Sequence, residues 1–236
     1  MQEFHKGFII NAGNDWKMNG PIKIKVCGLL NPENIEEVCA LEPDFVGYIF
    51  HPGSKRFVGA TPDPAIFRIP QPVIAKVGVF VDEDISRVKQ IYSQFQLDLV
   101  QLHGNESPQY CRILKDEGIE VIKAFKPDPD QGIRNLRDYP DGVRYILFDT
   151  PGKEPGGTGR KFNWDLLDGL SLPYPYLLSG GIGPEDGESI RKIEHESLFG
   201  VDVNSRFELS PGMKDIIPLE KFIKEIRAER NMGKTE

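Results

Sequence analysis

Short runs of apolar residues alternate along the chain with longer stretches in which apolar residues recur every three or four positions. The short runs predict eight strands: Ile22–Val26, Phe45–Phe50, Ala75–Val81, Leu97–Leu102, Val121–Phe125, Tyr145–Phe148, Tyr176–Leu178 and Leu198–Val203. Nearly continuous apolar strands are typical of parallel sheets, because helices cover both of their faces. The pattern therefore predicts a buried parallel sheet surrounded by helices.

Helical periodicity occupies several of the stretches between these runs. One helix is predicted to begin at Asn31-Pro32-Glu33, where a capping residue precedes a proline in the first turn. A second is predicted over Asp82–Phe95, a third begins at Ser107-Pro108, and a closing helix covers Asp215–Arg230. Amphipathic helices that alternate with apolar strands indicate an α/β protein.

The number of strand–helix units decides the architecture. Eight units in roughly 215 residues predict a single-domain (β/α)8 TIM barrel, a fold that typically needs about 250 residues. An open doubly wound sheet is the structural alternative. No linker or shift in composition marks a second domain, so we expect residues 21–236 to form the barrel. Residues 1–20 are expected to be an N-terminal extension outside the fold, and Met18 is an alternative initiator.

Charge and composition narrow the partners. The formal net charge of −7 argues against nucleic acid as the main partner, because phosphate backbones bind basic surfaces. A small phosphorylated molecule is compatible with this charge, since backbone amides can bind phosphate locally. No apolar run approaches the ~20 residues that span a bilayer, so no membrane association is expected. The sequence leaves a monomer and a homodimer equally open.

The cysteines and histidines exclude two further classes of site. The chain has three cysteines and four histidines, which form neither CxxC pairs nor a metal-ligand spacing. We therefore expect no disulfide framework and no metal. Widely spaced free thiols fit a reducing cytoplasm.

One cysteine lies where the first predicted strand ends. Cys27 precedes Gly28, and in a closed parallel barrel this position faces the end at which barrels carry their active sites. An ionised thiol there can act as a proton-transfer base without a metal or a cofactor. The alternative is that Cys27 packs in the core as a small apolar residue, which is the commoner fate of a cysteine.

Polar or glycine-rich residues follow most of the other predicted strands, so a barrel would gather them at one mouth. Asp149 follows the sixth strand, where partial desolvation would let its carboxyl act as a general acid; capping a turn is the alternative. Arg56 can grip a carboxylate through two hydrogen bonds or lie in solvent as a loop cation. His103 can face a ligand or be satisfied at the rim of the barrel.

Two glycine-rich stretches follow strands six and seven. Gly156-Gly157-Thr158-Gly159 and Ser179-Gly180-Gly181-Ile182-Gly183-Pro184 would let backbone amides approach a phosphate closely. Barrels commonly bind phosphate with the loops after strands seven and eight. We therefore expect a phosphate site here, although turns also require glycine.

Several stretches in this order resemble one enzyme family. They are Lys25-Val26-Cys27-Gly28-Leu29, Phe45-Val46-Gly47-Tyr48-Ile49-Phe50, Ser54-Lys55-Arg56-Phe57-Val58, Val77-Gly78-Val79-Phe80-Val81, Val100-Gln101-Leu102-His103-Gly104, Phe148-Asp149-Thr150, Gly156-Gly157-Thr158-Gly159, Ser179-Gly180-Gly181-Ile182 and Gly200-Val201-Asp202-Val203-Asn204-Ser205. From about Ile22 to the last predicted helix the chain is similar to phosphoribosylanthranilate isomerase, an enzyme of tryptophan biosynthesis. The resemblance implies a (β/α)8 barrel that needs no cofactor and acts on a small phosphorylated substrate.

The resemblance also implies roles for individual residues. Asp149 would be the general acid and Cys27 the general base of an Amadori rearrangement, and Arg56 would hold the anthranilate end of the substrate. The remaining substrate-binding candidates would contact the substrate or hold its phosphate through main-chain amides. They are His103, Gly157, Gly159, Gly180, Gly181, Asp202, Asn204 and Ser205.

Two other functions are weighed against this one. A related sugar-phosphate isomerase of histidine biosynthesis runs the same chemistry, but its family is expected to carry Asp where this chain has Cys27. A non-catalytic phosphate-binding barrel is the other alternative. The presence of both Cys27 and Asp149 argues against it.

Overall fold

Eight parallel strands close into a barrel in the computed structural model, which describes residues 20–127, 136–139, 142–149, 164, 172 and 174–228. The strands are β1 Lys23–Cys27, β2 Phe45–Ile49, β3 Ala75–Phe80, β4 Leu99–Leu102, β5 Glu120–Phe125, β6 Tyr145–Phe148, β7 Tyr176–Leu178 and β8 Leu198–Val203. Each strand pairs with the next, and β8 pairs with β1, for example at Lys25 and Asp202. The predicted (β/α)8 barrel is confirmed, and the open sheet is excluded because the ring has no edge.

The described part of the chain contains five α-helices, and each of the first three begins after a residue whose side chain caps it. They are α1 Pro32–Ala40, α2 Ile85–Gln94, α3 Pro108–Asp116, α4 Gly187–Arg191 and α5 Ile216–Arg227. The Asn31 side chain accepts a hydrogen bond from the Asn34 N–H at 2.8 Å, as the sequence predicts for α1. Helix α2 begins later than the predicted Asp82, because Asp84 is the residue that caps it. None of the helices in these residues is both long and apolar enough to cross a membrane.

Side chains that point into the barrel form two layers of different chemistry. At the amino ends of the strands, Phe45, Tyr145 and Phe199 make an aromatic layer, with ring centroids 4.6 Å apart for Tyr145 and Phe199. Residues i and i+2 of a strand share a face, so Lys25 and Cys27 both belong to the interior side of β1. The interior therefore changes from aromatic to ionisable side chains towards the carboxyl ends of the strands.

A short hairpin that the apolar pattern did not predict follows β8. Its strands are β9 Glu208–Ser210 and β10 Met213–Lys214, which pair antiparallel. The hairpin is tied to α1, since the Asn34 side chain accepts from the Lys214 N–H at 2.7 Å and donates to the Lys214 carbonyl at 3.0 Å. This connection holds the hairpin beside the carboxyl end of β1.

Candidate active site

Cys27 is the last residue of β1, and its side chain is buried. The neighbouring strand β2 carries Gly47 beside it: a Cβ on Gly47 would lie 2.7 Å from the Cys27 Sγ and 3.2 Å from the Lys25 Nζ. Only glycine fits there without displacing one of the two. Because Gly47 has no side chain, the Cys27 thiol and the Lys25 ammonium both border the space beside it.

Charges around the thiol act in opposite directions on its ionisation. Burial is the strongest influence and raises the pKa of the Cys27 thiol, while the Lys25 ammonium lowers it. Asp202 raises this pKa further, and Lys214 lowers it, more weakly than Lys25 does. The net result is a thiol pKa above its ordinary value. The two lysines make this rise smaller than burial and Asp202 alone would produce.

A buried ion pair lies beneath the thiol. The Lys25 Nζ donates to the Asp202 Oδ1 at 2.8 Å, and neither side chain is appreciably exposed. The other oxygen of Asp202 accepts from the Ser179 hydroxyl at 3.4 Å. Burial alone would lower the pKa of Lys25, but Asp202 and Cys27 outweigh it and raise that pKa, so the lysine stays protonated.

On the other side of the barrel, Asp149 follows β6 and meets His103, which follows β4. The His103 Nε2 lies 3.0 Å from the Asp149 Oδ2, and each side chain is about a quarter exposed, at 23% and 22%. The Gln101 amide Nε2 lies 2.9 Å from the His103 Nδ1. Gln101 therefore contacts one ring nitrogen of His103, and Asp149 contacts the other.

Arg56 is buried against an acidic partner that the sequence did not indicate. Its Nε and Nη2 donate to the Glu208 carboxylate of β9 at 2.8 and 2.6 Å, which is a bidentate pair. Lys214 of β10 also donates to Glu208, at 2.8 Å. Burial would raise the pKa of Glu208, but these two cations outweigh it and hold that pKa below its usual value. The hairpin therefore fixes the guanidinium.

Gly28 lets the fixed guanidinium stem approach the end of β1. It has a positive φ of 80°, and a Cβ there would lie 2.5 Å from the Arg56 Cδ and 2.9 Å from the Asn204 Oδ1. Asn204 in turn accepts from the Lys214 Nζ at 2.8 Å. Arg56 and Asn204 thus converge where β1 ends, next to Cys27.

The residues predicted to hold phosphate are only partly described. Gly180 and Gly181 follow β7 and are partly exposed, as are Asn204 and Ser205 after β8. Asp202 lies within β8, where its carboxylate pairs with Lys25, and a contact with phosphate stays a prediction. Gly157 and Gly159 lie outside the described residues, as do residues 1–19 of the predicted extension.

Within the described ranges, no group of three or more His, Cys, Asp or Glu side chains is arranged to hold a metal ion. Among the groups that ionisable side chains form at the carboxyl ends of the strands, two contain the predicted base and acid. One surrounds Cys27 on the β1–β8 side, and the other joins Asp149 to His103 on the β4–β6 side. Since one rim gathers all these strand ends, a small molecule at the mouth can contact both groups.

A closed parallel barrel with acids, bases and cations at the carboxyl ends of its strands defines a TIM-barrel enzyme. Comparison with known proteins shows which family it belongs to. Residues 24–225 match the family described as N-(5'-phosphoribosyl)anthranilate (PRA) isomerase. The chain is a member of this family.

Individual relatives agree with this assignment. The N-(5'-phosphoribosyl)anthranilate isomerase of Parabacteroides distasonis is 44% identical over 204 residues, which cover 86% of this chain and 92% of the relative. The crystal structure of phosphoribosyl anthranilate isomerase from Thermus thermophilus is 28% identical, with a TM-score of 0.76, and covers 89% of this chain and 100% of that one.

A third similar protein was crystallised with a ligand. It is a phosphoribosyl anthranilate isomerase in complex with reduced 1-(o-carboxyphenylamino)-1-deoxyribulose 5-phosphate. It is 32% identical, has a TM-score of 0.72, and covers 88% of this chain and all of its own. The resemblance read from the sequence motifs is therefore confirmed at the level of the family.

Proposed function

We propose that the protein converts N-(5-phosphoribosyl)anthranilate to 1-(2-carboxyphenylamino)-1-deoxyribulose 5-phosphate in tryptophan biosynthesis, with Cys27 as base and Asp149 as acid. The isomerase activity follows from membership of the family. The observation that carries the residue assignment is the position of a thiol and a carboxyl at the carboxyl ends of β1 and β6, across the mouth of the same barrel. The reaction is an internal aldose–ketose isomerisation, which needs proton transfers at C1, at C2, at the ring oxygen and at the C2 hydroxyl.

In the first step Asp149 protonates the ring oxygen of the ribose. The bond between that oxygen and C1 breaks, and the lone pair of the anthranilate nitrogen forms a double bond to C1. The product of this step is an open-chain protonated imine. Asp149 becomes a carboxylate in this step. The His103 Nε2, 3.0 Å away, then donates a hydrogen bond to it and stabilises the negative charge.

In the second step the thiolate of Cys27 removes the proton from C2. The electron pair of that C–H bond forms a double bond between C1 and C2, and the imine nitrogen accepts the displaced pair. The protonated imine makes the C2 proton acidic, so a thiolate of moderate basicity suffices. The enolamine then gains a proton at C1 while the C2 hydroxyl loses its own, which yields the ketone.

The two ends of the substrate are held by separate groups. Glu208 occupies the Nε and Nη2 of Arg56, and we assign the anthranilate carboxylate to Nη1. The phosphate is assigned to main-chain amides of the loops after β7 and β8. These loops contain Gly180, Gly181, Asn204 and Ser205. A ligand with the same two ends, a carboxyphenyl group and a 5-phosphate, is bound in the similar structure described above.

Two wider expectations remain predictions. The three free thiols favour a cytoplasmic enzyme. Its functional unit is expected to be a monomer or a homodimer that binds no nucleic acid.

The test follows the loss of fluorescence when the protein is added to freshly made phosphoribosylanthranilate. Wild-type protein should discharge the signal. It should leave the corresponding histidine-pathway aldose unchanged in a parallel assay. Turnover of the histidine-pathway substrate alone, or tight binding of a reduced product analogue without turnover of either substrate, would contradict the proposed function.

A further inference from the structure

A charged lysine lies inside the barrel, at a position where an apolar side chain would also fill the interior. Lys25 is 0% exposed, and its charge is balanced by Asp202 at 2.8 Å. Buried ion pairs are costly to desolvate, and apolar residues of similar volume often replace them without loss of stability. Stability of the barrel therefore does not explain why an ammonium is present at this position.

The position of Lys25 relative to Cys27 supplies an explanation. The two residues are separated by one position on β1, so they share its interior face. Gly47 of β2 brings no side chain between them, and a Cβ there would lie 2.7 Å from the sulfur and 3.2 Å from the ammonium nitrogen. Nothing from the adjacent strand separates cation and thiol.

The other charges near the thiol come from β8, from β10 and from Arg56 in the loop after β2. Asp202 of β8 opposes ionisation of Cys27, but Lys25 neutralises it directly. Lys214 of β10 favours the thiolate more weakly than Lys25 does, and its own charge is shared with Glu208, which also pairs with Arg56. Of the two lysines, Lys25 acts more strongly on the thiol, and it is not also committed to fixing Arg56.

We propose that Lys25 is a positioning residue for the general base: its ammonium, anchored by Asp202, holds the ionised sulfur of Cys27 at the end of β1. This inference rests on the proposed function, in which Cys27 takes the C2 proton. During that step the proton moves from C2 to the sulfur, and the C–H electron pair enters the C1–C2 bond. Lys25 keeps its own proton throughout.

The experiment measures the ionisation of Cys27 without substrate. In a background in which Cys39 and Cys111 are replaced by Ala, the rate of alkylation of Cys27 by iodoacetamide is followed against pH. Lys25→Met should raise the thiol pKa by about 1–3 units, the usual effect of removing one close opposite charge. Turnover at pH 7 should fall about tenfold per unit of that shift, with KM little changed, and should recover as the pH rises.

Two controls separate this role from a structural one. Lys23→Met removes a lysine from the same strand, where it pairs with Asp44 at 2.8 Å and is partly exposed, and should leave the thiol pKa unchanged. If Lys25→Met fails to fold because Asp202 is left unpaired, Lys25→Met combined with Asp202→Asn removes both charges. Its thiol pKa should then exceed that of Asp202→Asn alone.

Two results would overturn the inference. One is a folded Lys25 variant whose thiol pKa matches that of its parent. The other is a raised thiol pKa with an unchanged pH profile of turnover. Failure of the proposed function has a different signature, because it would appear as full activity of a Cys27→Ala protein whatever Lys25 does to the thiol.

Discussion

The two ends of the barrel interior are built by the same strands but have opposite chemistry. Strand β2 places Phe45 at its amino end and Gly47 two residues further along, and β6 begins at Tyr145 and is followed by Asp149. The amino end is closed by aromatic rings that contact one another, while the carboxyl end holds buried ion pairs and a thiol. Packing energy is therefore concentrated at one end, and ionisable groups that need fixed partners at the other.

Substitution of the proposed acid at the carboxyl end should have the largest effect, because it should reduce turnover without reducing stability. Asp149→Asn removes the proton donor but keeps the shape, so turnover should fall by about 10²–10⁴-fold, the usual contribution of a positioned acid. The unfolding temperature should change little. Fluorescence decay of phosphoribosylanthranilate measures the first quantity and thermal unfolding the second. A variant that keeps more than a tenth of wild-type turnover would contradict the role of Asp149.

The reverse result is expected for Leu147, which lies in β6, two residues before Asp149. Leu147 is fully buried in the apolar cluster of the barrel interior, and Leu147→Ala should cost about 2–5 kcal/mol of unfolding free energy, as cavities in packed cores do. Turnover per folded molecule should stay within a few fold of wild type. Urea unfolding and the activity assay test this together. A large loss of turnover at unchanged stability would contradict the assignment of stability to the apolar interior and of activity to the carboxyl end.

A smaller effect is expected from the hairpin that holds Arg56. Glu208→Gln weakens the bidentate pair and frees the guanidinium to move, so KM should rise roughly tenfold, since hydrogen bonds to charged groups contribute about 1.5–3 kcal/mol. Turnover at saturation should change less than KM. Glu185→Gln is the matched control, because Glu185 pairs with Arg206 on the surface at 2.7 Å. Equal effects of the two substitutions would show that Glu208 does not position Arg56.

The smallest effect concerns stability in acid. Arg56 and Lys214 hold the pKa of Glu208 below its ordinary value of 4.5, so the carboxylate stabilises the folded state above that pH. This contribution is lost as the pH falls through the lowered folded pKa. The unfolding free energy of wild type should therefore fall more steeply below pH 4.5 than that of Glu208→Gln. Parallel curves for the two proteins would exclude the linkage.

The sequence predicts the barrel well because its strands are short apolar runs, which differ clearly from the three-to-four-residue period of the helices. It also predicts Cys27, Arg56, His103 and Asp149 at the mouth, because each directly follows a strand or lies in the loop after one. Residues whose roles depend on distant partners were missed. Lys25 meets Asp202 across 177 positions of sequence, and the alternation of Lys23 and Lys25 with apolar residues in β1 was the only local signal.

The hairpin was missed for a different reason. Strands of three and two residues are too short to show a period, although Ser210-Pro211-Gly212 carries a turn signal. Glu208 and Lys214 therefore looked like ordinary polar residues near the end of the chain. Their contacts with Arg56 and Asn204 exist only once the barrel has closed and α1 has bound the hairpin.

Replacement of each cysteine in turn tests the central claim most directly, because the chain supplies its own controls. All three cysteines are buried free thiols, but Cys39 lies in α1 and Cys111 in α3, away from the mouth. Cys27→Ala should lose about 10²–10⁴-fold in turnover of phosphoribosylanthranilate while it stays folded, and the other two Ala variants should remain within a few fold of wild type. A folded Cys27→Ala protein with turnover like that of the Cys39 and Cys111 variants would contradict the assignment of Cys27 as the base.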